Sequence, residues 1–298
     1  MTQKKIKNLL NTFIIDGFIK FNSLLNKRDC NKLYNEIKIN RNWGPELFQS
    51  EKDYKKEFRN KLKKKLNPGK GIQNLVDDHN LKFIEQNKSV IQLLKLILGQ
   101  NYEIILSKFV VAVPKSWMPN YVKNLNKKRL ISNFNEFIKE KYRDVTYFRG
   151  IDYHMDSIDW EGNSNKFVTM YIYLNDTDAA MSPLNVIKGS HVFGHTSFPH
   201  YIKTAKNNSS LEYSPDNKNF KKFKFHKLVG KAGTVYLWSS NTLHGTSPSL
   251  NDNDKFRISL RYLIKKTSKS KSILDKLIKD DIVSKTREDR NNYKRILK

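Results

Sequence analysis

The chain has 298 residues, 38% hydrophobic and 12% aromatic, enough to bury a sizeable core and too apolar for a disordered chain. Its single cysteine, Cys30, excludes an internal disulfide and a cysteine-based zinc site, which suits a reducing cytoplasm. The formal net charge of +27 raises nucleic acid as a partner, but Lys outnumbers Arg about four to one, and readers of phosphate and base edges favour the Arg fork.

The opening MTQKKIKNLLNTFIIDGF sets lysines before apolar residues as a signal peptide does. Asn11 and Asp16 break that run and no small-residue cleavage site follows, so it reads as a helix leading into a strand. No apolar stretch reaches about 18 residues, and no membrane span is expected. GFIKFNSLL predicts a short strand, and NKRDCNKLYNEIK a helix capped by Asn26. Residues 41–70 are polar and lysine-dense, with NPGKG as a turn. NKSVIQLLKLILGQ has the apolar spacing of a packed helix and stops at Gly99.

The period then changes. YEIILSKFVVAVP, residues 102–114, is a β-branched strand ending at Pro114. A basic, partly helical insertion follows at 115–146, with Lys123, Lys127, Lys128 and Arg129, either a solvated surface or a lid. FRGIDYHMD, KFVTMYIYLND, LNVIKG, FKFHKLV, GTVYLWSS and FRISLRYLIK are strand-like runs separated by turn residues. Many short strands behind a helical N-terminal layer predict a mainly β domain of the sandwich or jelly-roll kind. One domain is expected over residues 1–266, with 267–298 a charged helical tail.

His154 and Asp156 alternate with Met155, so on a strand they share one face, while Asp159 does not. Alone, a His-x-Asp pair is a weak signal. His244 follows an apolar strand, and thirteen residues on comes Arg257, with Ser259 on the same strand face. Two His and one carboxylate occupy one face of octahedral Fe(II) and leave room for O2 and a chelating 2-oxoacid. The far carboxylate of that oxoacid needs a buried cation, and Arg offers a planar fork. Arg257 is preferred to Arg261 for this role.

These residues, with DGFIKFNSLLNK, LLKLILGQNYEII, YHMDSIDW and PLNVIKGSHVFGH, give a chain that over roughly residues 10–265 resembles the phytanoyl-CoA dioxygenase family of Fe(II)/2-oxoglutarate dioxygenases. The resemblance implies a double-stranded β-helix of cupin-like, jelly-roll form with helices outside. It implies iron at His154, Asp156 and His244, the distal carboxylate of 2-oxoglutarate on Arg257, O2 as second cosubstrate, and further cosubstrate contacts from Thr246, Tyr171 and Ser107. Halogenating relatives lack the carboxylate ligand, so Asp156 points to hydroxylation. The family often has an acidic-Asn-Gly turn ahead of GSH, where this chain reads DAAMSPL.

Trp160 walls the substrate pocket or packs in the core. His191 and His195 have metal-like spacing but are expected to be structural, while His79, His200 and His226 are expected to be surface or satisfied polar residues. The expected partner is a small-molecule substrate, with an anionic one consistent with the charge, and no nucleic acid. A non-oxidative cupin-like isomerase or sugar-binding protein would share the metal but needs no buried cation, so Arg257 weighs against it.

Overall fold

A computed structural model describes residues 3–59, 73–128, 133–150, 153–156, 166–193, 201–204, 210–214, 218–246 and 255–278, with 66 and 68. Strands β1 (Phe18–Phe21), β2 (Tyr102–Ala112), β3 (Thr146–Phe148), β4 (Phe167–Tyr173), β5 (Asn185–Ile187), β6 (Tyr201–Thr204), β7 (Ser210–Ser214), β8 (Lys221–Lys227), β9 (Val235–Ser239), β10 (His244–Gly245) and β11 (Arg257–Lys266) form two sheets. The larger has the order β1-β9-β4-β11-β2-β3 and the smaller β10-β5-β8-β7-β6. This is the double-stranded β-helix, with helices packed outside.

The helices include α1 (Gln3–Asp16), α2 (Lys27–Ile39), α3 (Glu51–Arg59), α4 (Lys82–Glu85), α5 (Lys88–Leu98) and α6 (Asn120–Lys128). Asn26 caps α2 by accepting the Arg28 N–H at 2.8 Å, and α5 ends at Gly99 with φ 94°. Helix α5 buries Val90, Leu93, Leu94, Ile97 and Leu98 against the outer face of the large sheet, represented by Val111, Ile172, Leu237, Ile258 and Leu260. Burying each such side chain stabilises by about 1.5–3 kcal/mol, so this outer core fixes the sheet.

The inner face carries a different core: Phe18, Val110, Ala112, Phe148, Tyr171, Tyr173, Tyr236 and Trp238, closed by Leu184 and Val186 from the smaller-sheet side. Period-2 alternation on strands buried from both sides produces this division. Residues 115–128 and 133–146 are tied to the outer core through Trp117, Met118, Val122, Phe134, Phe137 and Ile138. Arg41 pairs with buried Asp144 at 2.6 Å, clamping the chain after α2 to the entry of β3. Of the tail expected to be helical over 267–298, residues 267–278 hold only a short 3-10 helix at Leu274–Lys276, with Leu274, Leu277 and Ile278 packed on the outer core; 279–298 lie outside the described residues.

One local expectation is corrected. FRGIDYHMD is not a continuous strand: β3 ends at Phe148, His154 makes an isolated bridge, and Asp156 sits in a turn. The NPGKG turn likewise lies largely outside the described residues.

Candidate metal centre

His154 and His244 exchange both backbone hydrogen bonds, at 2.9 and 3.0 Å. Such a directly opposed pair points its side chains to one side, and the two imidazole rings lie 4.4 Å apart. β10 pairs His244 with Val186 of β5, an inner-core residue, so both imidazoles face the space between the sheets. Asp156 then enters from the turn. Its Oδ1 is 3.9 Å from His154 Nε2 and 3.6 Å from His244 Nε2, separations that one ion with bonds of about 2.0–2.2 Å can bridge. Among the described residues this is the group of three whose ligand atoms gather within 4.8 Å.

The surroundings hold each ligand in one orientation. His244 Nδ1 lies 2.9 Å from the Thr242 carbonyl, which must accept its proton and so leaves Nε2 with a lone pair toward Asp156. Thr242 donates from Oγ1 to the Gly17 carbonyl at 2.7 Å. Gly17, with φ 77°, has no room for a side chain, since a Cβ would come 2.5 Å from His191 Nδ1. The other side of Asp156 is equally fixed: Oδ2 accepts from Thr169 Oγ1 and, at 2.9 Å, from Trp238 Nε1. Arg261 donates to Oδ1 from Nη2.

The same contacts set the charges. Burial by itself would raise the Asp156 carboxyl, but Arg261, His244, His154 and the Thr169 hydroxyl outweigh it and hold the group well below the usual carboxylate range. Burial drives His244 down from 6.5 to about 4, against the opposing pull of Asp156. The site therefore presents a carboxylate and an unprotonated distal imidazole at neutral pH, the forms that ligate metal.

A pH dependence of stability follows for the metal-free protein. Between pH 6.5 and about 4 the unfolded chain protonates His244 and the folded chain does not. Its contribution is complete above the upper value and is lost as pH falls through the window. Urea midpoints should decline from pH 7 to pH 5, and His244→Gln should flatten the decline, leaving the smaller part from His226, whose value is lowered by burial in the same direction.

Arg257 lies deeper on β11 and is fully buried. Nη1 donates to Tyr171 Oη and, at 2.8 Å, to Ser259 Oγ; Nη2 donates to the Ser182 carbonyl at 3.0 Å. Phe148, Tyr171 and Tyr173 surround the guanidinium with ring centres at 5.1, 5.6 and 5.6 Å. No carboxylate of the described residues pairs with it, and Nε is buried without a partner. A guanidinium enclosed among neutral groups costs several kcal/mol, which a bound carboxylate would offset. Ser182, in the departing DAAMSPL segment, has φ 50° and so turns its carbonyl onto this cation.

Sequence expectation and geometry diverge elsewhere. Tyr171 and Ser259 touch Arg257, and Thr246 is buried two residues beyond His244. Ser107 is not part of the group: it pairs with Tyr262 and shares the outer-core face of β2 with Phe109 and Val111. Trp160, His195 and His200 lie outside the described residues. His191 is buried and lies 2.9 Å from the Ile14 carbonyl of α1, away from the three ligands. Thr169, Trp238 and the direct contact of Arg261 were missed, although Thr169 is two residues from Tyr171 and therefore on its face.

A profile of the family described as phytanoyl-CoA dioxygenase matches residues 15–259. The chain belongs to the phytanoyl-CoA dioxygenase family. Members are Fe(II)- and 2-oxoglutarate-dependent oxygenases, and the match spans His154, Asp156, His244 and Arg257. No curated protein matches the sequence. Among solved structures, the epimerase SnoN in complex with Fe3+, alpha ketoglutarate and nogalamycin RO superposes with TM-score 0.52 at 9% identity, covering 89% of this chain and 84% of that one. The non-heme monooxygenase ThoJ superposes with TM-score 0.50 at 13% identity, covering 87% and 80%. These likenesses are of fold. No helix among the described residues is long and apolar enough to cross a membrane.

For a family member with this arrangement, Thr169→Val should weaken metal binding about 10–100-fold by removing one of the two donors to Asp156 Oδ2, with little change in thermal stability. Calorimetric titration with Fe(II) under argon checks this; equal affinities would remove Thr169 from the centre.

Proposed function

We propose that this protein is a cytoplasmic Fe(II)- and 2-oxoglutarate-dependent dioxygenase that hydroxylates an unactivated C–H bond of a small-molecule or carrier-linked metabolite. The observation that carries the reading is the pairing of a His154/Asp156/His244 cluster with a fully buried, carboxylate-free Arg257 on the same inner face. Two imidazoles and one carboxylate are the donor set of a facial Fe(II) site, and Arg257 fits the far carboxylate of a dicarboxylic cosubstrate. When bound, iron and 2-oxoglutarate supply the oxidising chemistry with O2, leaving succinate and CO2.

The chain's own residues bind, orient and shield. His154 and His244 would give Nε2 and Asp156 Oδ1 to the ion, and Thr169 and Trp238 would hold the carboxylate in a single pose. Ser259 and Tyr171 aim the Arg257 fork, and Thr246, buried two residues beyond His244, would add a further cosubstrate contact. The aromatic wall of Phe148, Tyr171, Tyr173 and Trp238 excludes water from the reacting space. Asp156 fills the position that a halide would need, which favours hydroxylation over halogenation. A solved structure of this fold is an epimerase, and epimerisation or desaturation would use the same ligands.

The test is succinate release from 2-oxoglutarate, followed across pooled metabolites by mass spectrometry for a product heavier by one oxygen. Substrate-dependent succinate with that product supports hydroxylation; succinate with an isomeric or dehydrogenated product supports the second outcome. No succinate from any pool under reconstituting conditions would contradict the oxygenase reading.

A further inference from the structure

Arg261 is an unusual neighbour for a metal ligand. It lies on the same face of β11 as Arg257, four residues away, and is directly opposite Lys108 on β2 and Tyr171 on β4. Residues directly opposite on antiparallel strands place their side chains on one side, so Lys108 and Arg261 stand as adjacent cations on the inner wall. Like charges in such a pair repel unless an anion lies against them.

Arg261 has that anion at present: Nη2 donates to Asp156 Oδ1, the oxygen that also faces both imidazole Nε2 atoms. The contact and the proposed metal therefore draw on the same carboxylate oxygen. An ion held by Oδ1 and both Nε2 atoms would compete with Arg261 for that oxygen, so loading the centre would weaken the contact between Arg261 and Asp156. Unlike Arg257, Arg261 is not sealed in: 15% of its side chain is exposed. It contacts the metal ligand Asp156, whereas Arg257 is enclosed away from the three ligands.

Resting on the metal reading above, we infer that Arg261 and Lys108 form a second anion subsite beside the centre, which takes a carboxylate or phosphate of the primary substrate. The planar fork of Arg261 supplies bidentate contact and Lys108 adds a point charge. The subsite makes Arg261 specificity-determining: an anionic substrate replaces Asp156 as its partner once the metal claims Oδ1. Neutral analogues of the same shape would be discriminated against.

The experiment is a calorimetric titration of inorganic phosphate, and separately of acetate, at constant ionic strength. It uses wild type, Arg261→Gln and Lys108→Gln, each without metal and with anaerobic Fe(II) and saturating 2-oxoglutarate. Loading should strengthen anion binding in wild type about tenfold, as expected when one charge-assisted contact becomes available. Arg261→Gln should abolish that gain, and Lys108→Gln, which leaves the Asp156 contact intact, should reduce it with 2-oxoglutarate affinity within about threefold of wild type. Fe(II) and 2-oxoglutarate binding without any gain in wild type would overturn the inference alone. So would a loss of 2-oxoglutarate affinity in Arg261→Gln as large as the loss of anion binding, because the contact would then belong to the cosubstrate. Failure of wild type to take up Fe(II) would instead contradict the metal reading and the inference with it.

Discussion

His244→Ala is expected to lose Fe(II) binding and all succinate production, while the backbone bridge to His154 and the outer core remain. The side chain contributes no apolar packing that alanine would collapse; its ring meets His154 at 4.4 Å and Trp238 at 5.0 Å inside the site. With three protein ligands, removing one leaves two, too few to define the open face that the chemistry needs. His154→Ala should behave alike. Calorimetry with Fe(II) and circular dichroism separate loss of metal from loss of fold, and near-normal succinate from either variant would show that the ion is held elsewhere.

Arg257→Ala carries the second large effect. Removing one partner of a buried ion pair costs about 3–5 kcal/mol, so 2-oxoglutarate affinity should fall about 100-fold or more. Because Arg257 is fully buried and its partners are neutral hydroxyls and a carbonyl, the variant should be no less stable than wild type in the absence of cosubstrate. Fe(II) affinity should change little. A KM for 2-oxoglutarate that does not move would transfer the carboxylate to another cation, Arg261 first.

How much of this was readable in the residues depends on distance along the chain. Local spacing and flanking strand character single out His154, Asp156 and His244, which the structure gathers, and the buried Arg257, while caps mark the helices around Asn26 and Gly99. The reason given for pairing His154 with Asp156 does not match the geometry: the two meet through a bridge to β10 followed by a turn, not on one strand face. The later half of β2 is apolar on both sides, so alternation alone gives no parity, and Ser107, expected near the cosubstrate by resemblance alone, lies on the outer-core face. Period 2 places Arg257 and Arg261 together, and only the register against β4 and the Ser182 carbonyl distinguishes the enclosed cation from the one at Asp156. Thr169 and Trp238 reach a single carboxylate oxygen from β4 and β9, a convergence that no short stretch of sequence contains. β6 and β7 are four and five residues long and polar at their ends, too brief for a period to register.

The central claim is that one ion and one dicarboxylate share the inner face of the large sheet, and it has a direct test. Fe(II) should be titrated into wild-type protein without oxygen, then 2-oxoglutarate added, with the visible metal-to-cosubstrate absorption band recorded. The account predicts one Fe(II) per chain, a band that grows to a single equivalent of 2-oxoglutarate, no band in His244→Ala, and in Arg257→Ala a band that needs about 100-fold more cosubstrate. A wild-type protein that binds no Fe(II), or a band that is undiminished in His244→Ala, would contradict it.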